Sequence, residues 1–130
     1  MWKTILTIAT ILIIGMIMFN LFTKQSNEID INVDEFKEKY SETPGVVIDV
    51  RTQEEYEEGH LVKTDHQYDF MNGEFEEQLD KLDKDETYYL YCRSGNRSGQ
   101  AARMMKSKGF ENVYNIGGFE DLANKGFEAE

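Results

Sequence analysis

Residues that cross-link or ligate are scarce in this chain of 130 residues, which has one cysteine and two histidines. A single cysteine excludes a disulfide within the chain and leaves no resolving partner for a dithiol redox cycle. His60 and His66 come without additional cysteines and without a metal-ligand spacing, so the sequence does not predict a zinc site. Any disulfide would have to join two chains.

The chain also lacks an excess of basic charge and an internal repeat. Its net charge is −11, and all twenty-five acidic residues follow Lys24, whereas two of the fourteen basic residues are Lys3 and Lys24 themselves. This acidity argues against nucleic acid as a partner and is typical of a solvated surface. About a hundred residues follow the apolar N-terminal run, which leaves room for one small domain.

One long apolar run is present, over residues 4–23. As a helix, these twenty uncharged residues would span roughly 30 Å, the thickness of a bilayer core. Trp2, Lys3 and Lys24 would be interfacial anchors. The competing interpretation is a cleaved signal peptide, but its apolar region is usually about 7 to 15 residues long and precedes a small-residue cleavage site. We therefore predict a transmembrane anchor over residues 1–24, with the lipid bilayer as its partner.

This anchor divides the chain into three predicted parts, with a polar linker over residues 25–28 and one domain over residues 29–130. The positive-inside comparison sets Lys3 against three lysines on the other side of the run, which slightly favours a cytoplasmic domain at the cell membrane. A reduced thiol also fits a reducing compartment. An extracytoplasmic domain stays open as the alternative.

Strand and helix patterns alternate along the predicted domain. Residues 46–51 form a β-branched run and residues 88–91 an aromatic and apolar run, as expected of buried parallel strands. Alternation of this kind predicts a small parallel-sheet α/β domain with helices on both faces. The remaining patterns predict short strands at 29–31 and 113–116, and helices at 34–40, 73–82 and 98–108.

The only cysteine, Cys92, lies where the strand of residues 88–91 gives way to the predicted helix. The first N–H groups of a helix have no intrahelical partner and carry partial positive charge, so they favour an anion there. Gly95 and Asn96 tolerate a left-handed backbone that curls N–H groups into a nest, and Arg93 and Arg97 add positive charge. The pKa of the thiol is therefore expected below the usual value of about 8.5. The alternative is a small buried hydrophobic residue.

The spacing of this loop narrows the chemistry. Four residues separate Cys92 from Arg97, whereas cysteine-dependent phosphatases use a longer loop that cradles a tetrahedral phosphate. Residues 92–98 resemble the active-site loop of the single-domain rhodanese (sulfurtransferase) family, whose cysteine carries a sulfane sulfur as a persulfide. Two other stretches resemble the same family: Asp49-Val50-Arg51 with Gly59-His60-Leu61 downstream, and the Gly117-Gly118 corner.

This resemblance implies a rhodanese-like fold and a sulfurtransferase activity. Cys92 would attack thiosulfate or another sulfane donor, and a thiol, cyanide or a protein would accept the sulfur. The resemblance implies neither a metal ion nor an organic cofactor. The residues expected to bind the donor are Arg93, Ser94, Gly95, Asn96, Arg97 and Ser98.

Asp49, Arg51 and His60 are predicted to support the site. Buried charges are normally paired, so Asp49 is expected to bind Arg51, the neighbouring turn or the active-site loop. His60 is expected to hydrogen-bond a turn rather than to act as a base. The chain departs from the family pattern at Lys63-Thr64 and at Leu122, outside the loop around Cys92.

Two alternative functions stay open at this point. A membrane-tethered module that carries persulfide or binds a protein without fast turnover would keep the same fold. Phosphatase activity is the least favoured, because the loop is short. The intact combination of Cys92, Arg93 and Arg97 favours catalysis.

Overall fold

The computed structural model describes residues 1–24 and 28–130, with side chains described up to residue 18 and again from residue 28. Helix α1 covers Trp2–Lys24. Among the described residues, no helix is both long enough and apolar enough to cross a membrane. The transmembrane segment predicted over residues 4–23 is therefore not confirmed. The linker predicted over residues 25–28 lies outside the described residues, apart from its last member.

The sheet has four parallel strands in the order β2-β1-β3-β4. Their bounds are Val46–Asp49 for β1, His66–Gln67 for β2, Thr87–Cys92 for β3 and Asn112–Gly118 for β4. The predicted parallel α/β sheet is confirmed. Strand β2, at the edge, was not predicted, because two residues are too few to carry a periodic pattern.

Within the described part of the chain, five further helices follow α1. The one at the start of the domain, α2, begins after Asn32, whose side chain accepts a hydrogen bond from the Glu35 N–H in a capping box. The predicted helix over 73–82 is shorter and ends in a 3₁₀ turn, Leu79–Lys81. The helix bounds are Val33–Glu42 for α2, Gln53–Glu58 for α3, Glu74–Gln78 for α4, Asn96–Ser107 for α5 and Phe119–Asn124 for α6.

Alternating side chains of the strands bury into two separate clusters, one on each face of the sheet. Leu90 packs into one cluster with α5 and α4, through Ala102 and Phe75. Its neighbour Tyr91 packs into the other, with α2 and α6. The prediction that helices cover both faces is therefore confirmed.

The strand register brings three chain segments together at one end of the sheet. Asp49 pairs with Tyr91, and Cys92 pairs with Gly118, so the carboxyl ends of β1, β3 and β4 meet there. The strand predicted over 29–31 reduces to one parallel bridge between Asp30 and Asn115 on β4. This end of the sheet holds the loop after β3, and open α/β sheets bind ligands at such ends.

Candidate active site

Cys92 ends β3 and is fully buried at the amino end of α5. Its Sγ accepts a hydrogen bond from the Gly95 N–H at 3.0 Å. Burial raises the pKa of the thiol, but hydrogen bonds from the Ser98 hydroxyl and from the N–H groups of Ser98, Ser94 and Gly95 outweigh it, so the pKa lies below its ordinary value. The loop thus favours a thiolate at Cys92.

Two glycines let the loop take this shape. Gly95 has a φ of +93°, which side chains rarely adopt, and it turns the chain from the strand into α5. Gly118 on β4 lies against the loop, because a Cβ there would be 2.5 Å from the carbonyl oxygen of Arg93. Gly118, in the corner noted in the sequence, therefore packs directly against the cysteine loop, residues 92–98.

Ser98, in the first turn of α5, joins Cys92 to the neighbouring strand. Its Oγ lies 3.4 Å from Sγ and 2.7 Å from Oδ1 of Asn115. Asn115 also donates through Nδ2 to the Gly95 carbonyl at 3.0 Å and to Asp30 at 2.8 Å. Loop, helix and strand are therefore connected by one hydrogen-bond network, in which the contact between Ser98 and Asn115 is buried.

Arg97 does not point freely into the site. Its guanidinium makes two hydrogen bonds, of 2.7 and 2.8 Å, to the carboxylate of Glu55 on α3. This contact lowers the pKa of Glu55 to about 2. Arg97 remains close enough to interact electrostatically with Cys92. Its charge therefore acts on the thiolate while its hydrogen-bonding groups are engaged by Glu55.

Arg93, by contrast, is exposed at the mouth of the loop. It borders a cavity of about 350 Å³ between the loop, α3 and the start of α6. Three carboxylates and a second arginine share the cavity wall, so an incoming anion would meet mixed charge rather than a uniformly basic surface. The other charged lining residues are Arg51, Glu55, Glu58 and Glu120.

Asp49 and Arg51 form the buried pair that the sequence predicted. Arg51 Nη2 lies 2.7 Å from Asp49 Oδ2 and 2.7 Å from the carbonyl oxygen of Gly59. The guanidinium also lies over the Phe119 ring, 4.6 Å from its centroid. This pair ties the end of β1 to the turn after α3 and to α6, next to the mouth of the loop.

His60 contacts the turn and the chain end instead of the cysteine. Its Nδ1 lies 2.9 Å from the Tyr56 carbonyl oxygen, and its Nε2 lies 3.2 Å from Glu130. The ring stacks on Tyr56, with 3.8 Å between the centroids. These contacts hold His60 against the end of α3 and against Glu130.

Two further residues of the loop, Ser94 and Asn96, make local hydrogen bonds. Ser94 contributes its N–H to Cys92, and Asn96 begins α5 and accepts a hydrogen bond from Gln100 at 2.7 Å. Sequence reasoning missed two members of the site, Glu55 and Asn115. A signal existed for Asn115, because a polar residue between Val113 and Ile116 in a buried strand requires hydrogen-bond partners.

Comparison with known proteins agrees with this geometry. The sequence profile of the family described as "Rhodanese-like domain" matches residues 32–125. The putative sulfur carrier protein YrkF of Bacillus subtilis is 36% identical over 88 residues, which are 67% of this chain and 46% of YrkF. The thiosulfate sulfurtransferase GlpE of Coxiella burnetii is 37% identical over 76 residues, which are 58% of this chain and 68% of GlpE.

A solved structure resembles the fold as well. The crystal structure of a rhodanese-like domain protein from Staphylococcus aureus superposes with a TM-score of 0.61 at 30% identity, covering 76% of this chain and 95% of the other. The chain spans about half the length of YrkF, so the likeness to that protein concerns the domain alone. With its cysteine loop between a parallel strand and a helix, and with the family profile covering most of its length, the chain belongs to the rhodanese-like domain family.

Proposed function

We propose that the protein is a sulfurtransferase that moves a sulfane sulfur through a persulfide on Cys92. The observation that carries this proposal is the position of Sγ, which accepts hydrogen bonds from backbone N–H groups at the amino end of α5. Such a site stabilises negative charge on sulfur both before and after sulfur transfer. GlpE, named a thiosulfate sulfurtransferase, supports the choice of reaction.

With thiosulfate as donor, the Cys92 thiolate attacks the outer sulfur. The new bond joins Sγ to that sulfur, the sulfur–sulfur bond of thiosulfate breaks, and sulfite leaves with its electron pair. An acceptor thiolate or cyanide then attacks the outer sulfur of the persulfide and restores the Cys92 thiolate. Arg93 is positioned to attract the donor, and the loop N–H groups hold the sulfur charge throughout.

The test is the intact mass of the protein after thiosulfate treatment. We expect a gain of one sulfur atom that cyanide removes as thiocyanate. Cys92→Ser is the matched control and should gain nothing. A native protein that gains no sulfur from any sulfane donor would overturn the proposal.

A sulfur carrier without fast turnover is the second candidate. Cys92 has no exposed surface, which restricts the access of small donors, and YrkF is named a putative sulfur carrier protein. A carrier should take up one sulfur and release it slowly to cyanide. Multiple turnovers of thiosulfate within the same period would instead support the enzyme.

We also propose that α1 holds the domain at the cell membrane, with the domain on the cytoplasmic side. The support comes from the uncharged sequence of residues 4–23, part of which lies beyond the described side chains, and from the lysines that follow it. The described side chains of α1 expose apolar surface, including Ile5, Ile11 and Leu12. Sedimentation of the full chain with membranes is the corresponding measurement.

A further inference from the structure

The side-chain amide of Asn115 can point in only one direction. Nδ2 faces two acceptors, the Gly95 carbonyl at 3.0 Å and an Asp30 carboxylate oxygen at 2.8 Å. Oδ1 faces a donor, the Gly117 N–H at 3.1 Å. Exchanging the two ends of the amide would break all three contacts. Oδ1 is therefore the atom that faces Ser98.

This orientation determines what the Ser98 hydroxyl does. A carbonyl oxygen only accepts, so the 2.7 Å contact between Ser98 Oγ and Asn115 Oδ1 requires the hydroxyl proton. Cys92 Sγ lies 3.4 Å from the hydroxyl oxygen of Ser98. A hydroxyl has one proton, so Ser98 cannot donate to Asn115 and to Cys92 at the same time.

The two protonation states of Cys92 place different demands on that proton. The thiol can donate its own S–H to Ser98 Oγ, which leaves the hydroxyl proton on Asn115. The thiolate needs a donor, so the hydroxyl must turn toward Sγ. That turn leaves two oxygen atoms, of Ser98 and Asn115, facing each other without a proton between them. Ionisation of Cys92 is therefore opposed by Asn115.

Most of the other charges around Cys92 are held in ion pairs. Arg97 on α5 binds Glu55 on α3, and Asp49 on β1 binds Arg51. Asp30 faces the amide of Asn115 and lies 3.6 Å from Arg103 on α5. Arg93 is exposed at the mouth of the loop. None of these described groups hydrogen-bonds the Ser98 hydroxyl, so none of them competes directly for its proton.

We propose that Asn115 is a positioning residue that limits the acidity of Cys92 by competing with its thiolate for the single hydroxyl proton of Ser98. The proposal rests on Cys92 being the nucleophile proposed above. Its consequence is that the Ser98 hydroxyl turns toward Sγ only as negative charge develops there.

The experiment is a pH titration of the ultraviolet absorbance of the Cys92 thiolate, with Cys92→Ser subtracted as background. It needs no sulfur donor, so it stays informative even if the protein transfers no sulfur. Asn115→Ala should lower the pKa of Cys92 by about one pH unit, a tenfold increase in the acid dissociation constant, because the Ser98 proton is then free to stabilise the thiolate. In the Ser98→Ala background, the same substitution should leave the pKa unchanged.

Two results would overturn the proposal: an unchanged or raised pKa in Asn115→Ala, or an equal decrease with and without Ser98. If Asn115→Ala fails to fold, the native chain supplies a second readout. The ¹³C NMR signal of the Asn115 side-chain carbonyl should move as Cys92 ionises, because Oδ1 loses a proton donor. In Ser98→Ala that movement should disappear; a movement that persists undiminished would mean that Asn115 does not act through Ser98.

Discussion

Gly118 and Gly45 lack a side chain for the same physical reason at opposite ends of the sheet. A Cβ at Gly118 would lie 2.5 Å from the Arg93 carbonyl oxygen, and a Cβ at Gly45 would meet the carbonyl oxygen of Thr87. Only the first of these contacts belongs to the cysteine loop. Substituting each glycine in turn therefore distinguishes the effect of crowding on the fold from its effect on the site.

Alanine at either glycine is expected to destabilise the fold by about 1–3 kcal/mol, measured by urea unfolding. Gly118→Ala should in addition slow persulfide formation about tenfold or more, because displacing the loop misaligns N–H groups that stabilise the charged sulfur. Gly45→Ala is the matched control and should keep the native rate. Equal rates in both variants would show that the loop tolerates the displacement.

At the scale of single residues, the sequence predicted the position of Cys92 at the strand end better than the contacts around it. Cys92 was identified because its surroundings are local: the strand end, the glycine and the helix start all lie within a few residues. Glu55 was not, because it stands in an acidic run and its partner Arg97 is 42 positions away. Nothing in a local pattern selects which carboxylate of such a run will meet a distant arginine.

Between elements, the pair of Glu55 and Arg97 links α3 to α5. Glu55 has a pKa lowered from 4.5 to about 2 in the folded chain, chiefly by its hydrogen bonds to Arg97. A carboxyl whose folded pKa is lowered stabilises the fold fully above its unfolded pKa, and that contribution is lost as the pH falls through the folded pKa. The link should therefore be intact at neutral pH and should be lost as the pH falls through about 2.

Glu55→Gln is expected to lower the free energy of unfolding at pH 7 by on the order of 2 kcal/mol. The difference from the native chain should shrink below pH 4.5 and disappear as the pH falls through about 2, following the two pKa values of Glu55. Urea unfolding at several pH values measures this difference. Glu54→Gln, on the same helix and without an ion pair among the described residues, should show no such trend. A difference that stays constant with pH would refute the electrostatic origin.

The elements themselves could be predicted where their patterns were long. The β-branched run at 46–51 and the helix formers at 98–108 gave β1 and α5 with small errors at their ends. The edge strand β2, His66–Gln67, escaped prediction because its pairing with β1 is tertiary. The segment at 29–31 had the composition of a strand but makes a single bridge to β4.

Over the whole molecule, the folded core lies within residues 29–127, and α1 contributes to neither core cluster among the described residues. The domain thus has its own two clusters and its own sheet, which is what independent folding requires. A fragment that begins at residue 28 is therefore expected to fold and to keep the proposed reaction of Cys92. This separation permits a direct test of the proposed anchor.

The full chain is expected to sediment with membranes and to resist extraction by high salt, whereas the fragment from residue 28 should stay in the supernatant. Ile11→Lys in the full chain is the matched variant, because a charge at the middle of a spanning helix costs about 2.5–3.5 kcal/mol while the domain is untouched. It should shift part of the protein to the supernatant without changing its thiosulfate reaction. A full chain that stays soluble like the fragment would refute anchoring by α1 but not the proposed sulfur transfer, because that proposal depends on a loop far along the chain from α1.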